Sequence, residues 1–481
     1  MLGSLVSRQG QFCLRTRSFS ARTAKKGSWQ MVMVPRLFGT NGIRGVAGTQ
    51  IDSGLAFRVG SALGTLFPKQ RVLIGRDGRI SSPMLLEGVA AGVLARGNDV
   101  DDRGLITTPA LEFMVKNTPH SAGIMVTASH NPPEYNGFKV VDSDGIEIPR
   151  AKEEKMELLI HRDIWRASYQ PGRRIINEGR IGSYFEKLEG QVLARDAIQN
   201  LKIVIDTGNG VAALTTPKLL RKLGAQVIGL NDVVDGEFPG RNSEPRPENL
   251  GALSKIVREE EADLGIAHDG DGDRAIFVDD TGIVQPGDRT LAVVADELLR
   301  NHPGAKIVTP INTSMVVSEI VKKQKGKLIL TKVGSIEVSR TVVRVGALLG
   351  GEENGGIFYA PHHPVRDGTM AAVLVVNAII RNGRPFSKLL DKLPRFHMVK
   401  EKIPCKEQAK GHVINMLRAR LKGRISSTLD GIRVDVEGRG WVLVRASGTE
   451  PLLRLYAEAK TEDQLQEILG EFRPLVLNAV K

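Results

Sequence analysis

Cysteine is nearly absent from this sequence: Cys13 and Cys405 are the two in 481 residues. They are too few and too scattered for a disulfide framework or a thiolate metal site, which points to a reducing compartment and a cytoplasmic protein. Aromatics are scarce at 5%, and no aromatic–basic stripe marks a nucleic-acid surface. Apolar runs long enough to span a bilayer are missing, which excludes a membrane-embedded chain. Acidic residues are missing from the first fifty positions, where Arg8, Arg15, Arg17, Arg22, Lys25, Lys26 and Arg36 carry much of the +13 net charge. The other 60 basic residues face 54 acidic ones, a balance that suits binding of small phosphates, with neither nucleic acid nor membrane as partner.

The acid-free extension 1–36 admits three readings. It is a mitochondrial transit peptide, with Arg17-Ser18-Phe19-Ser20 as the processing neighbourhood; or the chain starts at Met31 or Met33; or the stretch is a disordered tail. Its weak helical periodicity favours the second and third.

What is present is a chain long enough for three or four domains. Leu37-Phe38-Gly39-Thr40-Asn41-Gly42-Ile43-Arg44-Gly45 is a glycine-rich loop whose amides can approach a ligand, with Arg44 as an oxyanion partner. Strand and helix patterns then alternate, through Gly75-Arg76-Asp77-Gly78-Arg79, to an apolar strand at 122–126. Thr127-Ala128-Ser129-His130-Asn131-Pro132 follows it. Pro132 and Pro133 keep this loop out of a helix, so the serine is presented at the carboxyl end of a strand rather than buried. An ordinary Ser-rich turn is the plain alternative. The cycle restarts near Leu201 and again near Lys306, giving three α/β units of similar plan. The last stretch, with close-spaced strands at 432–436, 441–445 and 452–458, reads as a small antiparallel α+β domain. Pro394 and Pro404 mark a hinge or linker before it.

Asp269-Gly270-Asp271-Gly272-Asp273-Arg274 is the strongest motif. Three carboxylates at alternate positions converge on a hard divalent cation, and without one they repel. The helix–loop–helix calcium pattern needs Gly sixth and Glu twelfth in the loop, where this chain has Arg274 and Asp280. Magnesium therefore fits better than calcium. Gly350-Gly351-Glu352-Glu353-Asn354-Gly355-Gly356 suits sugar hydroxyls, although such acidic turns are common. Arg445-Ala446-Ser447-Gly448-Thr449-Glu450-Pro451 makes a nest for a dianion, or a plain hairpin turn. His120, His362 and His363 lack metal spacing and read as surface or packing residues.

These motifs, in this order, resemble the α-D-phosphohexomutase superfamily from Leu37 to the C-terminus. The resemblance implies four domains around a central cleft, three similar mixed α/β domains and a smaller C-terminal α+β domain, with boundaries at 37–175, 176–285, 286–395 and 396–481. It implies Ser129 as a phosphoserine and Mg²⁺ held by Ser129, Asp269, Asp271 and Asp273. His130, Arg44 and Lys139, in Asn136-Gly137-Phe138-Lys139, match positions for proton handling and charge stabilisation. Arg274 would orient phosphate, Glu352 and Asn354 read the sugar hydroxyls, and Lys332 line the same cleft. Arg445, Ser447, Gly448 and Thr449 would bind the non-reacting phosphate, assisted by Arg454. The implied reaction passes through a hexose 1,6-bisphosphate, with small sugar phosphates as the partners.

Two positions depart from the pattern. Bacterial phosphomannomutases often end the sugar loop in His, where this chain has Gly356, and many relatives have Ser where it has Asn354. The loop and the Gly39–Gly45 opening look more like archaeal phosphoglucosamine mutases, so glucosamine phosphate is the expected substrate, with mannose or glucose phosphate as the alternative. A sugar-phosphate-binding protein without turnover, and a hydrolase with an aspartyl nucleophile, are the competing classes.

Overall fold

The structure, a computed structural model, describes residues 36–39, 41–162, 167–448 and 450–480. Apart from Arg36, the readings of the extension fall outside them. The first sheet contains β1 (Ile43–Val46), β2 (Arg71–Arg76), β3 (Asp99–Leu105), β4 (Ala122–Val126), β5 (Tyr135–Asp142) and β6 (Arg174–Ile176), in the order β1-β5-β4-β2-β3-β6. The second contains β7 (Lys202–Asp206), β8 (Gln226–Leu230), β9 (Leu264–His268), β10 (Ala275–Asp279) and β11 (Val284–Gln285), ordered β11-β10-β9-β7-β8. The third contains β12 (Lys306–Pro310), β13 (Lys327–Thr331), β14 (Leu349–Gly351), β15 (Ile357–Tyr359) and β16 (His363–Arg366), ordered β13-β12-β14-β15-β16.

One plan underlies all three. A first strand is flanked by two parallel neighbours, and the second of these turns back into an antiparallel strand: β2 with β3 and β4, then β5; β7 with β8 and β9, then β10; β12 with β13 and β14, then β15. The expected three similar units are present. The turn-back loops are residues 127–134, 269–274 and 352–356, so the serine, aspartate and sugar loops occupy the same topological position in successive units.

Burial explains the sequence pattern of the strands that carry these loops. All five residues of β4 and all five of β9 are buried, which gives continuous apolar runs rather than alternation. In the first unit, helices Ser53–Leu66 and Ser82–Leu94 approach so closely that a Cβ at Gly60 or Gly92 would lie 2.2 or 2.1 Å from the backbone of the other helix. No helix among the described residues is long and apolar enough to cross a membrane.

The fourth sheet is antiparallel throughout, β17-β20-β19-β18, from β17 (His397–Pro404), β18 (Ile432–Val436), β19 (Gly440–Ala446) and β20 (Leu452–Ala459). Here the expected linker is corrected: much of the stretch before this domain is the edge strand β17. Lys400 and Lys402 gave it a linker's appearance, and charged residues are what protects a sheet edge. Strand alternation sends Val442, Val444, Leu453 and Leu455 to the helices Lys410–Arg420 and Glu462–Val480. Trp441, Leu443 and Tyr456 face Ile311 of the third unit. Glu458 completes this tie by accepting from Trp441 Nε1 and Met315 N at 2.8 and 2.7 Å.

Candidate active site

Ser129 sits at φ +51°, a left-handed conformation that costs a non-glycine residue about 1–3 kcal/mol and must be held by its surroundings. Its amide donates to Thr127 Oγ1 at 2.8 Å. The buried Arg79 guanidinium gathers the rest of the loop. It donates to the carbonyls of Ser129 (2.9 Å), Asn131 (2.6 Å), Pro132 and Tyr135, while its Nε meets Asp77 at 3.0 Å. Thr127 and Ser82 hydroxyls also donate to Asp77, each at 2.7 Å.

The serine is fully buried (0% exposed), which corrects the expectation of a presented side chain. The aspartate loop of the second unit covers it: Ser129 Oγ donates to Asp269 Oδ2 at 2.9 Å. Gly270 allows this approach, since a Cβ there would lie 2.5 Å from the Ser129 carbonyl oxygen. His130 Nδ1 is 3.4 Å from Ser129 Oγ. Burial, reinforced by Arg274 and Arg44, holds this imidazole well below its usual range.

One carboxylate oxygen from each of Asp269, Asp271 and Asp273 lies within 4.8 Å of the others. The expected self-repulsion is answered by cations from three elements. Lys139 Nζ bridges Asp271 Oδ2 and Asp273 Oδ2, each at 2.7 Å. Arg366 Nη2 meets Asp273 Oδ2 at 2.6 Å, and Arg274 Nε lies 3.7 Å from Asp273 Oδ1. Thr108 Oγ1 donates to Asp271 Oδ2 at 2.6 Å. Burial works against each charge. At Asp273 it is outweighed by Arg366, Lys139 and Arg274, which hold the carboxyl below its usual range. At Lys139 it is outweighed by Asp271 and Asp273, which hold the amine up. Asp269 stays well above the carboxylate range through burial and its two neighbours.

These residues fit a hard divalent cation. Asp271 Oδ1 and Asp273 Oδ1 are buried and accept no hydrogen bond from the described residues. With the serine hydroxyl and Asp269 they form an all-oxygen donor set.

The other expected residues fall into two groups. Arg44 Nη1 donates to Asn131 Oδ1 at 2.9 Å, placing it beside the serine loop. The sugar loop reaches the end of the aspartate loop: Ala275 N donates to the Gly355 carbonyl at 3.2 Å, and Glu352 Oε2 is 3.5 Å from Arg366 Nη1. Glu352 is raised by burial, and Asn354 Oδ1 accepts from Gly356 N at 3.2 Å.

The remaining residues form a separate group. Lys332 is exposed after β13. Its neighbour Val333 N and Arg445 Nε both donate to Asp430 Oδ2 at 3.0 Å, which joins the third unit to the β19–β20 loop. Within that loop Lys410 Nζ donates to the carbonyls of Ser447 and Glu450, each at 2.7 Å, and Gly448 is exposed. Arg454 pairs with Glu450 at 2.6 Å. Thr449 lies outside the described residues.

His362 stacks on Phe113, His363 meets the Gly145 carbonyl and His120 meets Asp101, so all three are packing residues. Arg79, Arg366 and Thr108 were not singled out from the sequence. Arg79 stands in a visible motif, Gly75–Arg79, but Arg366 and Thr108 give no local signal.

Four descriptions of phosphoglucomutase/phosphomannomutase match in succession: α/β/α domain I over 35–166, domain II over 182–282, domain III over 286–396, and the C-terminal domain over 401–475. A probable phosphoglucosamine mutase of Methanopyrus kandleri is 39% identical over 93% of this chain and 99% of its own length. A phosphoglucomutase/phosphomannomutase of Thermococcus kodakarensis is equally similar, at 39% over the same shares. The crystal structure of a phosphoglucomutase/phosphomannomutase family protein from Burkholderia thailandensis superposes with a TM-score of 0.84, at 30% identity over 93% of this chain and 98% of that one. With a match in each of its four parts and relatives aligned over nearly their whole length, this chain belongs to the phosphoglucomutase/phosphomannomutase family, within the α-D-phosphohexomutases.

Proposed function

We propose that this chain moves a phosphoryl group between the 1- and 6-positions of a hexose, through a phosphoserine at Ser129 and a bound hexose 1,6-bisphosphate, with glucosamine phosphate as its substrate. The observation that carries this reading is Ser129 Oγ at 2.9 Å from Asp269 Oδ2, inside an oxygen cage suited to Mg²⁺. A hydrolase with an aspartyl nucleophile needs a carboxylate free to attack. Asp269 is instead held against the serine hydroxyl, with its Oδ1 accepting from Arg274 N at 3.2 Å.

Ser129, Asp269, Asp271 and Asp273 would hold the cation. Mg²⁺ supplies stabilisation of charge on the phosphoryl oxygens. The sugar hydroxyl attacks the phosphorus of phosphoserine and gives its proton to a base at the site, while the bond to Ser129 Oγ breaks and that oxygen takes up a proton to become the free hydroxyl. His130, with Nδ1 3.4 Å from Ser129 Oγ, is placed to handle protons at that oxygen. Lys139 and Arg44 keep positive charge beside the transferring group. Arg274 orients phosphate, Glu352 and Asn354 read the sugar hydroxyls, and Lys332 lines the cleft. Arg445, Ser447, Gly448 and Thr449 grip the phosphate that is not reacting. The bisphosphate turns over, and its other phosphate returns to Ser129.

The choice of amino sugar draws on the name of the Methanopyrus relative; the Thermococcus name favours glucose or mannose phosphate. Conversion of the 1- and 6-phosphates of glucosamine, glucose and mannose by wild type and Ser129→Ala decides it. The expected result is fastest conversion of glucosamine phosphate and none by the variant. Equal rates contradict the sugar assignment, and an active Ser129→Ala contradicts the mechanism.

A further inference from the structure

Nothing in the backbone of Gly356 requires glycine, because its φ lies outside the left-handed region. The space around it does. A Cβ at this position would stand 2.6 Å from Arg366 Cδ, 3.0 Å from its Cγ and 3.1 Å from Glu352 Oε2. The stem of Arg366 therefore fills the volume that a side chain at 356 would take.

Arg366 is fixed in that place. It pairs in register with Phe358 across β15 and β16. The next residue, Asp367, accepts from Met370 N at 2.9 Å and from Tyr184 Oη at 3.0 Å, and Gly368 N donates to the Gly272 carbonyl at 3.2 Å. From this anchored strand the guanidinium reaches Asp273 Oδ2 in the second unit's loop at 2.6 Å and Glu352 Oε2 in the third unit's loop at 3.5 Å. It is 5% exposed.

We infer that Arg366 is a positioning residue for phosphoryl transfer: it sets the sugar-reading Glu352 relative to the cation-binding Asp273, and Gly356 is glycine to admit it. This rests on the phosphohexomutase reading above. A guanidinium bound to Asp273 Oδ2 also competes with a divalent cation for that carboxylate. Removing it should therefore leave cation affinity unchanged or higher while turnover falls. A side chain that only holds the fold together would lose both at once.

The experiment measures Mn²⁺ affinity by electron paramagnetic resonance, and hexose phosphate turnover with Mg²⁺, on full-length wild type, Arg366→Ala and Arg366→Lys. The expected result is a fall in kcat/KM of about fivefold or more in both variants, with Mn²⁺ bound at least as tightly in Arg366→Ala as in wild type. Gly356→Ala should be impaired alone and cost less than about twofold more when added to Arg366→Ala, because the clashing stem is gone. A smaller fall in turnover, weaker Mn²⁺ binding in folded Arg366→Ala, or a fully additive Gly356→Ala overturns the inference. If Arg366→Ala does not fold, Arg366→Lys decides by the same turnover criterion. If wild type converts no hexose phosphate, the functional reading fails, and the Mn²⁺ titration still reports whether Arg366 competes at Asp273.

Discussion

Two parts of this molecule are assigned to phosphate, and the chain builds them in opposite ways. At the junction of the 127–134 and 269–274 loops, Ser129, Asp269, Asp271, Asp273 and Lys139 are all at most 1% exposed. There a carbonyl cage around Arg79 and three cations around the carboxylates fix each group. The β19–β20 loop is a hairpin joining the two inner strands of a separate sheet. Arg445 is half-buried and Gly448 exposed, and the loop is tied across to the third unit through Asp430. Chemistry at a phosphorus atom demands rigid placement of charge. Holding whichever phosphate is not reacting demands a grip that can let go. Under the proposed function, the contrast would separate the place where bonds change from the place where substrate is held.

Substitutions at the junction should sharpen this contrast by removing turnover. Asp271→Asn keeps the shape but takes away a ligand charge, and should lower Mg²⁺-dependent kcat by about 100-fold or more. It also leaves Lys139 with one carboxylate partner in place of two, at a cost near 1–3 kcal/mol seen as a lower melting temperature. Normal activity without added magnesium would break the cation assignment. Arg79→Lys, which cannot serve four carbonyls at once, should lower kcat by about tenfold or more with KM little changed.

The β19–β20 loop should behave differently. Arg445→Ala is expected to raise KM for hexose phosphate by about tenfold, the worth of a charge-assisted hydrogen bond, with a smaller effect on kcat. A fall in kcat alone, with KM unchanged, would erase the distinction between the two regions.

A last expectation concerns stability rather than turnover. Burial against Phe113 lowers His363 to about 3, outweighing the hydrogen bond to the Gly145 carbonyl, which favours the protonated ring. Below its unfolded-state pKa of about 6.5, the unfolded chain takes up a proton that the folded chain refuses. Folding stability from this residue is therefore complete above about pH 6.5 and declines by about 1.4 kcal/mol per pH unit below it, until the folded group titrates. Urea unfolding midpoints between pH 7 and 4 should fall less steeply in His363→Gln. An identical slope would contradict this reading.

Much of the site was legible because its chemistry is local. The aspartates alternate within five residues, and Ser129 stands at the end of an apolar strand. The strand–helix alternation likewise announced three similar units. What escaped is set by distance along the chain. Arg366 meets Asp273 from 93 residues away, and Arg79 meets the Ser129 carbonyl from 50. A lone arginine carries no mark of such a partner. The burial of Ser129 was missed for the same reason, since its cover comes from the next unit. β17 was read as a linker because an edge strand with lysines lacks the apolar alternation of an inner one.

The most direct test follows phosphate itself. Protein incubated with Mg²⁺ and a labelled hexose 1,6-bisphosphate, then chased with unlabelled hexose 6-phosphate, is analysed by peptide mass spectrometry. The account predicts label on Ser129 that leaves during the chase, and none in Ser129→Ala. Label on an aspartate of the 269–273 loop, or turnover with Ser129 never phosphorylated, would contradict it.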